Sequence, residues 1–122
     1  MFFKNKRKLA ESLQSTGSKA VGTVISVQDT GMTINNNPRV NMTFRVEPVD
    51  GSSAFDAQKT ATVPRLQIPR QGERYPVWYD PQDHSKWMFS VIVDDSGRAI
   101  LREQFGEVAQ SFTGMGAPAP LA

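Results

Sequence analysis

The chain has 122 residues, 39% of them hydrophobic and 21% charged, with 9 glycines and 8 prolines. That is enough polymer for one domain with a modest core, and too mixed for a collagen-like, coiled-coil or fully disordered chain. The absence of cysteine excludes disulfides, thiolate metal sites and cysteine nucleophiles; a single histidine, His84, excludes a His-pair metal site and argues against a Ser-His-Asp triad. The formal net charge is +2, yet Lys4, Lys6, Arg7 and Lys8 place four cations in the first eight residues, so the remainder is net acidic by two charges. A basic face spread across the domain, of the kind nucleic-acid binders carry, is therefore not expected.

In chain order, residues 4–16 lack Pro and Gly and are rich in helix formers, which predicts a helix stopped at Gly17. Phe2, Leu9 and Leu13 give it a thin apolar face. The segment 1–17 is thus expected as a basic amphipathic helix preceding a β-rich domain over 18–101. Val21–Gln28 reads as the first strand, Asp29-Thr30-Gly31 as a turn, and Met32–Ile34 as a brief extended piece before the break at Asn35-Asn36-Asn37-Pro38. The clearest strand runs from Arg39 to Glu47, where Val40, Met42, Phe44 and Val46 alternate with polar residues. Asp50-Gly51 signals a hairpin, with Ala54–Val63 as the returning strand. Pro64–Gln71 is expected as an extended edge or loop, and Tyr75–Tyr79 as a strand. Asp80-Pro81-Gln82-Asp83 is a turn, Lys86–Val93 a central strand, and Asp94–Gly97 a turn into Arg98–Ile100. Leu101–Phe112 carries apolar residues at helical spacing weakened by Gly106, so a short helix is expected over 102–113, then a disordered tail over 114–122. Together these predict a mainly β protein: a small antiparallel barrel or sandwich of five or six strands, with an N-terminal helix and a short C-terminal one.

Several stretches resemble a known family. They are Thr16-Gly17-Ser18-Lys19-Ala20-Val21-Gly22-Thr23-Val24, Asp29-Thr30-Gly31 with Asn36-Asn37-Pro38 and Val40, and Arg45-Val46-Glu47-Pro48. The most specific is Gly72 followed by Val77-Trp78-Tyr79-Asp80-Pro81, a Gly-x4-Val-x-Tyr-Asp-Pro element. Together they resemble a family of uncharacterised actinobacterial proteins with a small β-rich domain, over about residues 14–93. The resemblance implies that fold and, from members with a transmembrane or basic segment before the domain, membrane association. It brings no catalytic residue or cofactor. The longest nearly apolar run, Trp87–Val93, falls far short of the roughly 20 residues a spanning helix needs. No secretory signal is evident at the start of the sequence. The expected location is cytoplasmic, either free or as a peripheral protein on the inner membrane face.

Three clusters could carry chemistry. Asp80, Asp83 and His84 could bind a divalent metal, but the simpler reading is an Asp-Pro turn whose carboxylates cap backbone N–H groups. Asp94-Asp95-Ser96-Gly97 lacks the frame and terminal Glu of a calcium loop. Trp78, Trp87, Tyr75, Tyr79 and Phe89 could stack nucleobases, or form a core. No phosphate-cradling glycine loop or tuned acid–base pair is present. The expectation is a non-enzymatic interaction module without a cofactor. Its docking residues are Phe2, Phe3, Lys4, Lys6, Arg7 and Lys8: two aromatics and four cations suited to a partner protein or an anionic membrane face. The alternative is a single-stranded nucleic-acid-binding barrel of the oligonucleotide-binding type.

Overall fold

Alternating side chains with β-branched and aromatic residues draw just over half of the described residues into strands. The computed structural model describes residues 17–91 and 94–115. Five strands, β1 (Ser18–Ile34), β2 (Asn37–Pro48), β3 (Phe55–Thr62), β4 (Arg74–Asp80) and β5 (Asp83–Phe89), form one antiparallel sheet in the order β3-β2-β1-β4-β5. One α-helix, α1 (Asp95–Phe105), comes next and continues into a 3-10 segment, Gly106–Ser111. The expected N-terminal helix and the docking residues Phe2 to Lys8 lie outside the described residues, as do residues 116–122.

Strand β2 behaves as its alternation requires. Val40, Met42, Phe44 and Val46 are at most 2% exposed, while Asn41, Arg45 and Glu47 face water. Register carries this face across the sheet: Phe44 stands opposite Val24 and Ala57, Ala20 opposite Val77, and Val77 opposite Phe89. Phe44 also meets Trp87 edge-on, with ring centroids 5.3 Å apart.

Strand β1 runs straight through the expected turn at 29–31. Asp29 Oδ1 accepts the Gly31 N–H at 2.7 Å and Thr30 Oγ1 donates to the Arg39 carbonyl at 2.7 Å, so the turn signal produces a bulge inside a long strand. A second irregularity between Val24 and Ser26 puts one extra residue, Ile25, into β1. It shifts the inward face from Ala20, Gly22 and Val24 to Val27, which obscures the alternation in the sequence. The reversal into β2 falls at Asn35 and Asn36, both with positive φ (51° and 68°), the backbone of a tight hairpin turn that Asn tolerates.

Strand β4 is buried on both faces. Tyr75, Val77 and Tyr79 point into the Phe44 core, while Trp78 points the other way. There α1 and the segment after it cover it with Leu101, Phe105, Ala109, Phe112 and Met115, flanked by Val21 and Met88. Met115 is 4% exposed, so the expected tail is packed at its start.

Several expectations are corrected. The helix begins at Asp95, not after residue 101, because Asp94 is its N-cap: its carboxylate accepts the Gly97 N–H at 2.8 Å. The boundary expected at 101/102 therefore falls within α1, and Arg98–Ile100 is helical. Gly106, with φ of 64°, ends α1 rather than weakening it from inside. Strand β5 is an end strand, not a central one; the cover over Trp87 comes from across the sheet. The sheet's ladder is open, since β3 and β5 are its two ends. Side chains span the gap instead. Lys59 Nζ donates to the Trp87 carbonyl at 2.8 Å and lies 4.8 Å from the Trp87 ring centroid, and Phe55 stacks on His84 at 3.8 Å.

Candidate binding cleft

The connection from β3 to β4 begins and turns on proline. Pro64 starts a 3-10 turn, Arg65–Gln67, closed by the Gln67 N–H on the Pro64 carbonyl at 2.9 Å. Pro69 is fully buried and anchors the far side. Arg65 fastens the loop to the β1–β2 turn: its Nε donates to the Asn36 carbonyl at 2.9 Å, its Nη2 to Asn36 Oδ1 at 3.0 Å, and its backbone N–H to Asn37 Oδ1 at 3.3 Å. The Gly72 N–H then donates to the Val24 carbonyl and the Val24 N–H to the Glu73 carbonyl, both at 2.8 Å, which joins the loop's end to β1. Gly72 supplies the positive φ (89°) that this return needs.

A loop fixed at both ends holds Leu66 95% exposed, with Ile68 partly exposed beside it. Between them and β4 lies a half-open cleft of about 470 Å³. Leu66, Ile68 and Val91 form its apolar walls, Arg65 and Arg70 its cationic rim, and Glu73 and Tyr75 its polar wall. Thr113 closes another side, pinned to β4 by its N–H on the Arg74 carbonyl (2.7 Å) and its Oγ1 under the Arg74 N–H (3.1 Å). One oxygen of Glu73, Oε1, accepts both the Arg70 N–H at 2.7 Å and the Tyr75 hydroxyl at 2.8 Å. Burial, this hydrogen bond and the Glu73 charge together push the Tyr75 hydroxyl well above its usual range, so it stays protonated and keeps donating to Glu73. Among the described residues neither Arg65 nor Arg70 forms an ion pair.

Other candidate residues have structural work. Asp80 Oδ1 accepts the Gln82 N–H at 2.8 Å. Asp83 Oδ1 accepts the Ser85 hydroxyl at 2.6 Å and its N–H at 3.1 Å, and these bonds hold the Asp83 carboxyl below the usual carboxylate range. Ser52 does the same for Asp50 at the β2–β3 turn. His84 is stacked on Phe55. Among the described residues no group of three or more His, Asp or Glu is placed to hold a metal ion, and no helix is long and apolar enough to cross a membrane. Tyr75, Trp78, Tyr79 and Trp87 are at most 4% exposed, so these four rings offer no face to a nucleobase. The element from Gly72 to Pro81 builds β4 and its hairpin: Val77 and Tyr79 enter the core and Asp80 caps the turn.

Sequence reasoning missed the cleft. Its trace is Pro64-Arg65-Leu66-Gln67-Ile68-Pro69-Arg70, two aliphatic residues between two arginines and two prolines, where no helix or strand has room to bury them. Comparison with protein-family models, with curated proteins and with solved structures gives no match for this chain.

Proposed function

We propose that the protein is a non-enzymatic interaction module. Its β sheet is the scaffold, and the basic segment from Phe2 to Lys8 docks it on a partner protein or an anionic membrane face. The observation that carries this reading is Leu66, an aliphatic side chain held 95% exposed on a loop fastened by Arg65. Leu66 does not stand alone: Ile68 is exposed beside it and both line one cleft with Val91, and an apolar cluster left open to water suits a contact surface. The carboxylates at 80, 83 and 94 support the same reading, since each is engaged in capping a turn or helix. The actinobacterial family resemblance, and the membrane association it implies, belong with this proposal.

Full-length protein sedimented with vesicles of phosphatidylserine and phosphatidylcholine tests the terminal segment. Each cation near an anionic surface contributes about 1 kcal/mol. Replacing Lys4, Lys6, Arg7 and Lys8 together by Gln is expected to lower vesicle affinity by roughly a hundredfold or more. Equal sedimentation of both proteins would remove the membrane role of this segment.

A further inference from the structure

We propose that the cleft beside Leu66 takes an extended peptide in which an acidic side chain stands next to a branched aliphatic one. The inference rests on reading the protein as an interaction module, and it names a partner chemistry for a surface separate from the terminal segment.

The walls set the apolar half of the ligand. Leu66, Ile68 and Val91 line a half-open space of about 470 Å³, within the range of roughly 300–1,000 Å³ typical of ligand clefts. The rim sets the charge. Arg65 spends its Nε and Nη2 on Asn36 and keeps Nη1 for a ligand; Arg70 bonds Glu73 through its backbone alone, its N–H donating to Oε1 and its carbonyl accepting the Glu73 N–H at 3.0 Å. Neither guanidinium has an ion-pair partner among the described residues and both residues are exposed, so each is placed to donate to a ligand carboxylate.

The polar wall separates a peptide from other amphipathic anions. The Tyr75 hydroxyl proton is committed to Glu73 Oε1, and Tyr75 is only 4% exposed with its side chain in the Phe44 core, so Glu73 carries the acceptor of this wall. Glu73 Oε2 accepts nothing among the described residues. This acceptor calls for an N–H donor, which a polypeptide backbone supplies and a fatty-acid carboxylate lacks. Donors at the rim and an acceptor at the wall, with an aliphatic wall between, match a peptide bearing Asp or Glu beside Leu, Ile or Val. The open side lets the chain run through rather than end in the cleft.

The test is selection of random octapeptides on the immobilised full-length protein, followed by fluorescence anisotropy with the most enriched peptide. Enrichment of an acidic residue within two positions of Leu, Ile or Val is expected. Leu66→Ser and Arg70→Glu, both at exposed positions that leave the core untouched, are expected to weaken that peptide at least tenfold each. Replacing its acidic residue by Lys is expected to abolish binding. No enrichment, enrichment of basic sequences, or unchanged affinity in both variants would overturn the proposal. So would displacement of the peptide by an equal concentration of octanoate, which would mark the cleft as a fatty-acid site. Vesicle sedimentation by the Leu66→Ser protein, expected to equal that of the unmodified chain, keeps failure here distinct from failure of the terminal docking segment.

Discussion

At Gly22 a single hydrogen stands where two neighbouring strands bring large side chains together. A Cβ there would lie 2.6 Å from Val77 Cγ2 and 2.8 Å from Phe44 Cδ2. Both neighbours are fully buried, so neither can swing into water. Gly22→Ala gains a few tenths of a kcal/mol in strand propensity and loses more to overpacking, and a net destabilisation of about 1–2 kcal/mol is expected by urea denaturation. Adding Phe44→Leu should recover part of it, giving a double-mutant cycle well short of additive. Nothing local in Val21–Gln28 could have signalled this. The requirement comes from Phe44 on the next strand, set by register, and register is invisible to a window of eight residues. Leu66 was hidden for the opposite reason. It obeys neither strand nor helix periodicity, so reading by period passes over it.

Elements were legible where one physical signal dominated. The alternation of β2 survives intact because a half-buried strand needs only near neighbours, and the chain does reverse at Asp50-Gly51, though through a longer connection from Pro48 to Phe55 than a two-residue hairpin. Ambiguity arose where one signal has two outcomes. Asp29-Thr30-Gly31 makes a bulge and Asp94–Gly97 makes a helix cap, although each reads as a turn; in both, as in an ordinary turn, an Asp carboxylate accepts a nearby N–H. The residues downstream decide between them: after Asp94 the apolar positions 101 and 105 reward a helix by covering Trp78. The cap can be weighed directly. Asp94→Ala is expected to cost about 1 kcal/mol in thermal or urea unfolding, and Asp94→Asn much less, since Asn caps as well. Equal losses would place the effect in charge rather than in the hydrogen bond.

Across the whole molecule, the sheet divides its hydrophobic residues between two clusters. The larger surrounds Phe44, and the smaller lies between Trp78 and α1. Both tryptophans were legible as interior residues; their placement on opposite faces depends on β4 lying under the helix. Each face holds one tryptophan, so Trp87→Phe leaves a reporter under α1 and Trp78→Phe leaves one in the main core. Among the described residues six buried side chains hold the smaller cluster, against twelve in the larger, and less buried surface opens at lower free energy. With rising urea, emission from the Trp87→Phe protein is expected to shift red before that of the Trp78→Phe protein. Coincident midpoints would instead make helix and sheet one cooperative unit.

Lys59 carries a consequence for how copies of this chain treat one another. It projects from the outermost strand toward the interior, not away from it, and its ammonium occupies a carbonyl on the opposite margin. An incoming ribbon of backbone seeking that margin meets a site already taken and a positive charge beside it. With Phe55 on His84 beside it, Lys59 guards the margin between the two end strands, the kind of inward-pointing charge that blunts edge-to-edge pairing.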